Sequence, residues 1–273
     1  MKRVREFPKK LWSLITNPMI GVLPGQIAFF LVLSIFPILI LVGVVASFFS
    51  ISMDTVIEGI NSTFPKDIVN MLVPLLSGKD FDASIGFSMI VGFVLASNGA
   101  HSIVVASNTL YGFENADVVR RRVKSIFIIM LMIALFVFTL LVLAFGDVIV
   151  QQILKFTNDD SLVISLYKFF ILFRWPIAMF IMFFNIKLIY ILAPDWKIYS
   201  RHTTKGALFT TVGWIITTAI YSYYAIHFAN YDFFYGGLSS IVVLMVWVYA
   251  LSYILVIGIA INVNEYKRVN NKE

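Results

Sequence analysis

From residue 24 onward the chain alternates long apolar runs with short polar connections. Six runs stand out, at approximately 24–50, 83–109, 125–147, 168–193, 206–229 and 237–263. At 1.5 Å per residue each can cross about 30 Å of hydrocarbon as a helix. Apart from Asp147 at the edge of the third, five of them hold no Asp, Glu, Lys or Arg, and the fourth holds Arg174 and Lys187, with Lys168 at its edge. Backbone polar groups in a bilayer must satisfy one another, and unbroken apolar runs of this length do so as helices rather than barrel strands. Pro37 and Pro176 fall inside runs, where membrane helices accept them as kinks or first-turn residues. The pattern predicts an all-α polytopic membrane protein with six transmembrane helices.

The connections predict its orientation. Lys and Arg crowd into alternate ones: Lys2 to Lys10, Arg120 to Lys124, Lys197 to Lys205 and Lys267 to Lys272 together hold fifteen of the 21. The opposite side holds Lys66, Lys79 and Lys155, and the rest lie in or beside the fourth run. Basic connections stay in the cytoplasm, so both termini are expected there. Three units follow: a basic amphipathic N-terminal segment over 1–23, one six-helix membrane domain over 24–264, and a cytoplasmic tail over 265–273. Phe7, Leu11, Trp12 and Leu14 would place the first segment on the inner leaflet. The apolar run after it is longer than a signal-peptide core and lacks a small-residue cleavage site, so it is expected to be retained.

On the outer side, 51–82 is the longest connection. Val56, Ile57, Ile60 and Phe64 share a helical face away from Asp54, Glu58 and Asn61, and Ile68, Val69, Leu72, Leu75 and Leu76 repeat the pattern after Pro65. Two short amphipathic helices capping the bundle are expected. The turn at 230–236 holds Tyr231, Phe233, Phe234 and Tyr235 with no Lys or Arg, as suits an outer headgroup boundary.

Composition agrees with this class: 60% of the 273 residues are hydrophobic and 13% are charged, far too little charge for a soluble surface. With no cysteine there is no disulfide, thiolate nucleophile or cysteine metal site. The formal charge of +6 is accounted for by the basic inner connections, which attract anionic lipid. No RNA-binding motif or stacking platform accompanies it, so no nucleic-acid partner is expected.

Polar side chains at membrane depth carry the functional question, because each is costly there. In the second run Ser97, His101 and Asn108 return to one helical face with Asn98 beside it. They form either a stripe facing a solute or proton path, or interhelical hydrogen bonds eased by Ala96, Gly99, Ala100 and Ala106. The fourth run supplies Asn185 and Lys187. Lys187 lies about 9 Å from the inner end, where it either snorkels to the interface or pairs with an anion inside. Tyr223 in the fifth run is the remaining candidate. Gln26, Asn262 and Asn264 lie near run ends and read as interfacial, and His202 reads as a cytoplasmic loop residue. Carboxylate pairs within the runs, HExxH-type metal spacing, a GxSxG elbow and a P-loop are all missing. No enzyme activity, metal or other cofactor is expected.

Four stretches carry a family resemblance over nearly the whole chain: "GQIAFFLVLSIFPILILV" in the first run, "SNTLYG" at the end of the second, "LIYILAPDWKI" at 188–198, and the block from "AIYSYYAIHFANYDFFYGG" to "ILVIGIAINV". In these the chain resembles the YihY/BrkB family of bacterial inner-membrane proteins, once labelled ribonuclease BN. Asn108 matches the family's asparagine. The resemblance implies a six-helical, membrane-embedded fold in the bacterial cytoplasmic membrane and no agreed activity. Two departures are visible: Ile191 near a position that is sometimes arginine, and Ala260-Ile261-Asn262 in place of an acidic Gly-Ala-Glu, leaving Glu265 as the nearest acid. The functional expectation is a transporter or exporter of a small solute or lipid, using Asn98, His101, Asn108, Asn185, Lys187 and Tyr223. The alternative is a scaffold or envelope-integrity factor without transport; a membrane ribonuclease is disfavoured. Oligomers are compatible with either.

Overall fold

Where the apolar runs are described, they are helical. The computed structural model describes residues 21–34, 54, 57, 58, 61, 83–113, 117–143, 160–227 and 239–270. Six long helices result: α1 Gly21–Ser34, α2 Ala83–Tyr111, α3 Val118–Leu143, α4 Asp160–Leu192, α5 Ser200–His227 and α6 Ser239–Asn270. No strand occurs among the described residues. Expectations for 1–20, the second half of the first run, most of 51–82 and the turn at 230–236 lie outside these residues. Within 51–82, Asp54, Ile57, Glu58 and Asn61 are helical, with Ile57 half-buried and the three polar residues exposed.

Several boundaries differ from the apolar runs, and local chemistry explains them. α2 ends at Tyr111 because Gly112 takes a left-handed φ of 80°, which a Cβ disfavours. Gly112 N–H then donates to Thr109 O and Phe113 N–H to Asn108 O, capping the last carbonyls. α3 starts seven residues before its apolar run, because Asp117 Oδ1 accepts the Val119 N–H at 2.9 Å and caps the new end. Hydropathy does not register such polar first turns. The same applies to α5, which takes in 200–205 before its run begins, and to the end of α6, which continues through 264–270. Most of the expected tail is therefore helix.

Lipid-like surroundings are written on the outside of the bundle. Leu172 (69% exposed), Trp175, Phe180, Ile220, Val246 and Phe127 all project outward, an apolar surface that a water-soluble monomer does not carry. Among the described residues two stretches, Trp175–Leu192 and Val242–Val269, are long and apolar enough to cross a membrane.

Inside, α5 and α6 pack antiparallel. Trp214 Nε1 donates to Leu251 O at 2.9 Å, and Gly206 N–H donates to Asn262 Oδ1 at 2.8 Å. Gly206 and Gly258 face each other so closely that a Cβ on Gly206 would run into the Gly258 carbonyl. Without a hydrophobic drive between helices in lipid, such close approach and interhelical hydrogen bonds supply the association. The core is continuous from α2 (Ala100, Ile103, Val104) through α3 (Ile128, Ile129) and α4 (Ile186, Ile189, Tyr190) to α6 (Leu255, Val256, Ile259).

Candidate functional site

One end of the bundle gathers the end of α2, the start of α3, the segment after α4, the start of α5 and the end of α6. Asp195, almost fully buried after the helix-ending Ala193-Pro194, is the centre of this knot. Its Oδ2 accepts from Arg121 Nε at 2.8 Å and its Oδ1 from Lys124 Nζ at 3.2 Å. Lys124 Nζ also donates to the Pro194 carbonyl, and the Asp195 N–H donates to Asn108 Oδ1 at 2.8 Å. Burial pushes Lys124 below its ordinary pKa; the hydrogen bond and charge of Asp195 oppose that shift, while Arg120 and Arg121 add to it.

Aromatic rings complete the knot. Tyr111 stacks on Phe113 and meets Tyr266 edge to face, Phe113 reaches Trp196, and Tyr266 meets His202. Burial, then the neighbouring Tyr266, raises the Tyr111 pKa. His202 is a correction to the sequence reading. It lies on the first turn of α5, 3% exposed, because its ring fills the space between Tyr199 and Tyr266.

Beside the knot, Lys205 and Arg268 both bond Glu265 at 2.8 Å. Burial raises the Glu265 pKa, but the Lys205 hydrogen bond and charge, with Arg268 and His202, outweigh it and the net shift is downward. Its stabilising contribution is therefore present above about pH 4.5, the ordinary value, and lost as pH falls through the lower folded value. Lys205 is largely exposed, so the effect is small, under about 1 kcal/mol. Melting curves should show Glu265→Gln slightly less stable than the parent at pH 7, with the difference shrinking as pH falls below about 4.5.

Deeper in the bundle lies a polar layer. His101 Nδ1 meets Ser125 Oγ at 3.3 Å, and Arg122 Nη1 donates to Asn98 Oδ1 at 2.8 Å. Asn185 Nδ2 donates to Leu131 O at 2.9 Å. Three buried atoms from the middle of the helices have no hydrogen-bond partner among the described residues: Ser97 Oγ, Asn185 Oδ1 and Ser252 Oγ. They come from α2, α4 and α6, yet share a depth. α2 and α6 both run toward the Tyr111–Tyr266 contact, and Ser97 and Ser252 each lie about 21 Å back from it. Counting outward from the His101–Ser125 contact, Ser97 is about 6 Å further along α2 and Leu131 about 9 Å further along α3. Asn185, bonded to Leu131, is thus within about 3 Å of the depth of Ser97.

The six residues singled out from the sequence do not form one set. Asn98, His101 and Asn185 belong to this layer. Asn108 is tied into the knot, with Nδ2 on Val104 O and Oδ1 on the Asp195 N–H, so both ends of its amide are used there and not in the layer. Lys187 is half-buried, its Nζ 5.8 Å from the Phe183 ring centroid. Tyr223 is 59% exposed on α5, apart from this layer. Asn262, read as interfacial, is 1% exposed and bridges to Gly206, because the glycine lets α5 close onto α6 at that level. Gln26 and Asn264 are exposed.

Arg122, Asp195 and Ser252 were missed. Asp195 had a signal, being one of few acids on the strongly basic side. Ser252 had none, since one serine in an apolar run is unremarkable until its neighbours are known. Among the described residues no group of three or more histidines and carboxylates is placed to hold a metal ion.

The all-helical bundle, its lipid-like exterior and its interior polar layer define a helical membrane protein. The family model described as virulence factor BrkB matches residues 17–273, and the chain belongs to that family. It is similar to the ribonuclease-like protein YfkH of Bacillus subtilis, 29% identical over 89% of each chain. It is also similar to a UPF0761 membrane protein of Vibrio campbellii, 26% identical over 92% of this chain and 79% of that one. A UPF0761 membrane protein of Alteromonas mediterranea is 34% identical over 26% of this chain and 24% of its own. No solved structure matches.

Proposed function

We propose that the chain is a multi-pass protein of the bacterial cytoplasmic membrane, with six crossings and both termini inside, that moves a small solute or lipid across the bilayer. The observation that carries this is the matching depth of three buried polar atoms that have no partner among the described residues, Ser97 Oγ, Asn185 Oδ1 and Ser252 Oγ, from three helices. Each costs about 1–3 kcal/mol when left unmade, and a passing polar solute offsets that cost. The knot around Asp195 closes the bundle on the basic side. The gathering of alternate connections at that one end supports the threading. No hydrolytic chemistry is assigned to the chain.

Flux from proteoliposomes loaded with a mixture of amino acids, organic acids, polyols and lipids tests the reading, with mass spectrometry as readout. At least one solute should leave faster than from protein-free liposomes. Asn185→Leu should lower that flux about tenfold or more, as losing one specific contact worth about 1.4 kcal/mol does, while Tyr223→Phe leaves it unchanged. Release no faster than from empty liposomes for every solute class would overturn the proposal. A scaffold reading draws on Trp196 and Tyr199, exposed beside Lys197 and Arg201; it predicts a stoichiometric protein partner on crosslinking and no flux.

A further inference from the structure

We infer that the polar layer takes a small anion that also carries a hydroxyl, its charge held by Arg122 and its hydroxyl donating to Asn185. This rests on the transport reading and adds the class of solute.

The hydrogen-bonding logic begins with Asn185. Its amide orientation is determined by the bond from Nδ2 to Leu131 O, so the free atom is the carbonyl, which can only accept. The occupant must therefore donate there. The two serines are more telling. Serine and threonine hydroxyls within helices commonly bond back to a carbonyl one turn earlier. Here Ser34, Ser102, Ser125 and Thr211 all do so. Ser97 and Ser252 have no such bond, although the same option is open to them. Their hydroxyls can donate to an anion or accept from a hydroxyl.

Charge selects the sign of the solute. The described apolar runs contain no Asp or Glu. Of the three neighbouring bases, Arg121 and Lys124 both spend their charge on Asp195. Arg122 has a neutral amide oxygen, Asn98 Oδ1, as its described partner. Its planar fork retains donors suited to a carboxylate or phosphate. A cation entering the layer would meet Arg122, and Lys187 further along, with no carboxylate in the described apolar runs to offset them. Arg122 reaches α2 at Asn98, next to Ser97, and Asn185 lies within about 3 Å of Ser97 in depth. A short hydroxy acid or hydroxylated phosphate ester carries both the charge and the donor.

The absence of cysteine provides the test. Ser97→Cys and, separately, Ser252→Cys each put a single thiol in the layer of the full-length protein. Variants that elute and melt like the parent are reconstituted and treated with an anionic (sulfonatoethyl) or cationic (trimethylammonioethyl) methanethiosulfonate. Each rate is divided by that reagent's rate with a free thiol. The anionic reagent should then be favoured about tenfold or more, the scale of focusing by a charged cleft. Lactate should slow it, and acetate, which lacks the hydroxyl, should slow it less. Arg122→Gln in the same background should abolish the preference. Equal or faster modification by the cation, a preference that survives Arg122→Gln, or equal protection by acetate and lactate would overturn the solute class and leave transport standing. If neither reagent reaches either thiol from either side, the layer is sealed, and the transport reading falls together with this one.

Discussion

Gly258→Leu is expected to separate α5 from α6 and leave the protein unable to fold to a monodisperse species in mild detergent. A Cβ at Gly258 already meets Thr210 Oγ1 and the Tyr190 hydroxyl. Those two groups are hydrogen-bonded to each other at 2.6 Å, and Tyr190 OH also donates to Leu255 O at 2.8 Å. Tyr190 is among the largest fully buried side chains, with no room to retreat. The leucine adds overpacking of about 1–3 kcal/mol and strips buried hydrogen bonds whose loss costs about 1–3 kcal/mol for each stranded group. Together these approach the whole stability of a typical domain, about 5–15 kcal/mol. Gly258→Ala should be milder, because it brings a single methyl against those two groups rather than a branched chain. Gly25→Ala is the control: only Tyr249 lies within 4 Å, at 3.9 Å, and a helix glycine gains about 0.5–1 kcal/mol on becoming alanine. Size-exclusion profiles and melting temperatures of the three variants check the order. A Gly258→Leu protein that melts like the parent would contradict the close α5–α6 contact.

Asp195→Ala is the second large effect. The Asp195 side chain is 6% exposed, and those of Arg121 and Lys124 are 20% and 18% exposed. Removing one partner of a buried ion pair leaves uncompensated charge and costs about 3–5 kcal/mol; residual hydration of the two cations places this case near about 3 kcal/mol. Removing Lys124 as well, in Asp195→Ala/Lys124→Met, takes away part of the stranded charge and should recover about 1 kcal/mol or more, within the range of coupling between contacting residues. A double-mutant cycle of melting free energies makes the measurement. If the two substitutions add without coupling, the ion pair is not a structural element. The same variants bear on transport: a loosened knot should let solute leak without directional control in the proteoliposome assay.

Much of the fold was legible in the sequence because hydropathy acts residue by residue. An apolar run the length of a bilayer has to be helical wherever it lies in lipid, and each described run is. The failures cluster where polar residues continue a helix beyond its apolar part. Asp117 and Gly112 had local signatures, an N-cap and a left-handed glycine. Residues 264–270 had only a polar composition, which reads equally as loop. The polar stripe on α2 was visible as a periodicity, but its division between layer and knot was not. Asn98 and His101 face α3 while Asn108 meets Asp195, and the partners lie 24, 24 and 87 positions away along the chain.

Sequence alone thus determined the solvent: apolar runs too long and too free of charge for water, with basic residues sorted onto alternate connections. Tertiary structure alone decided which polar groups satisfy one another and which are left over. Asn108 and Asn185 are the same residue type in equally apolar runs, yet one has both ends of its amide occupied and the other has a buried carbonyl oxygen with no partner among the described residues. Desolvation cost is a property of a side chain and its neighbours on other helices, and no reading along a single strand of text contains those neighbours.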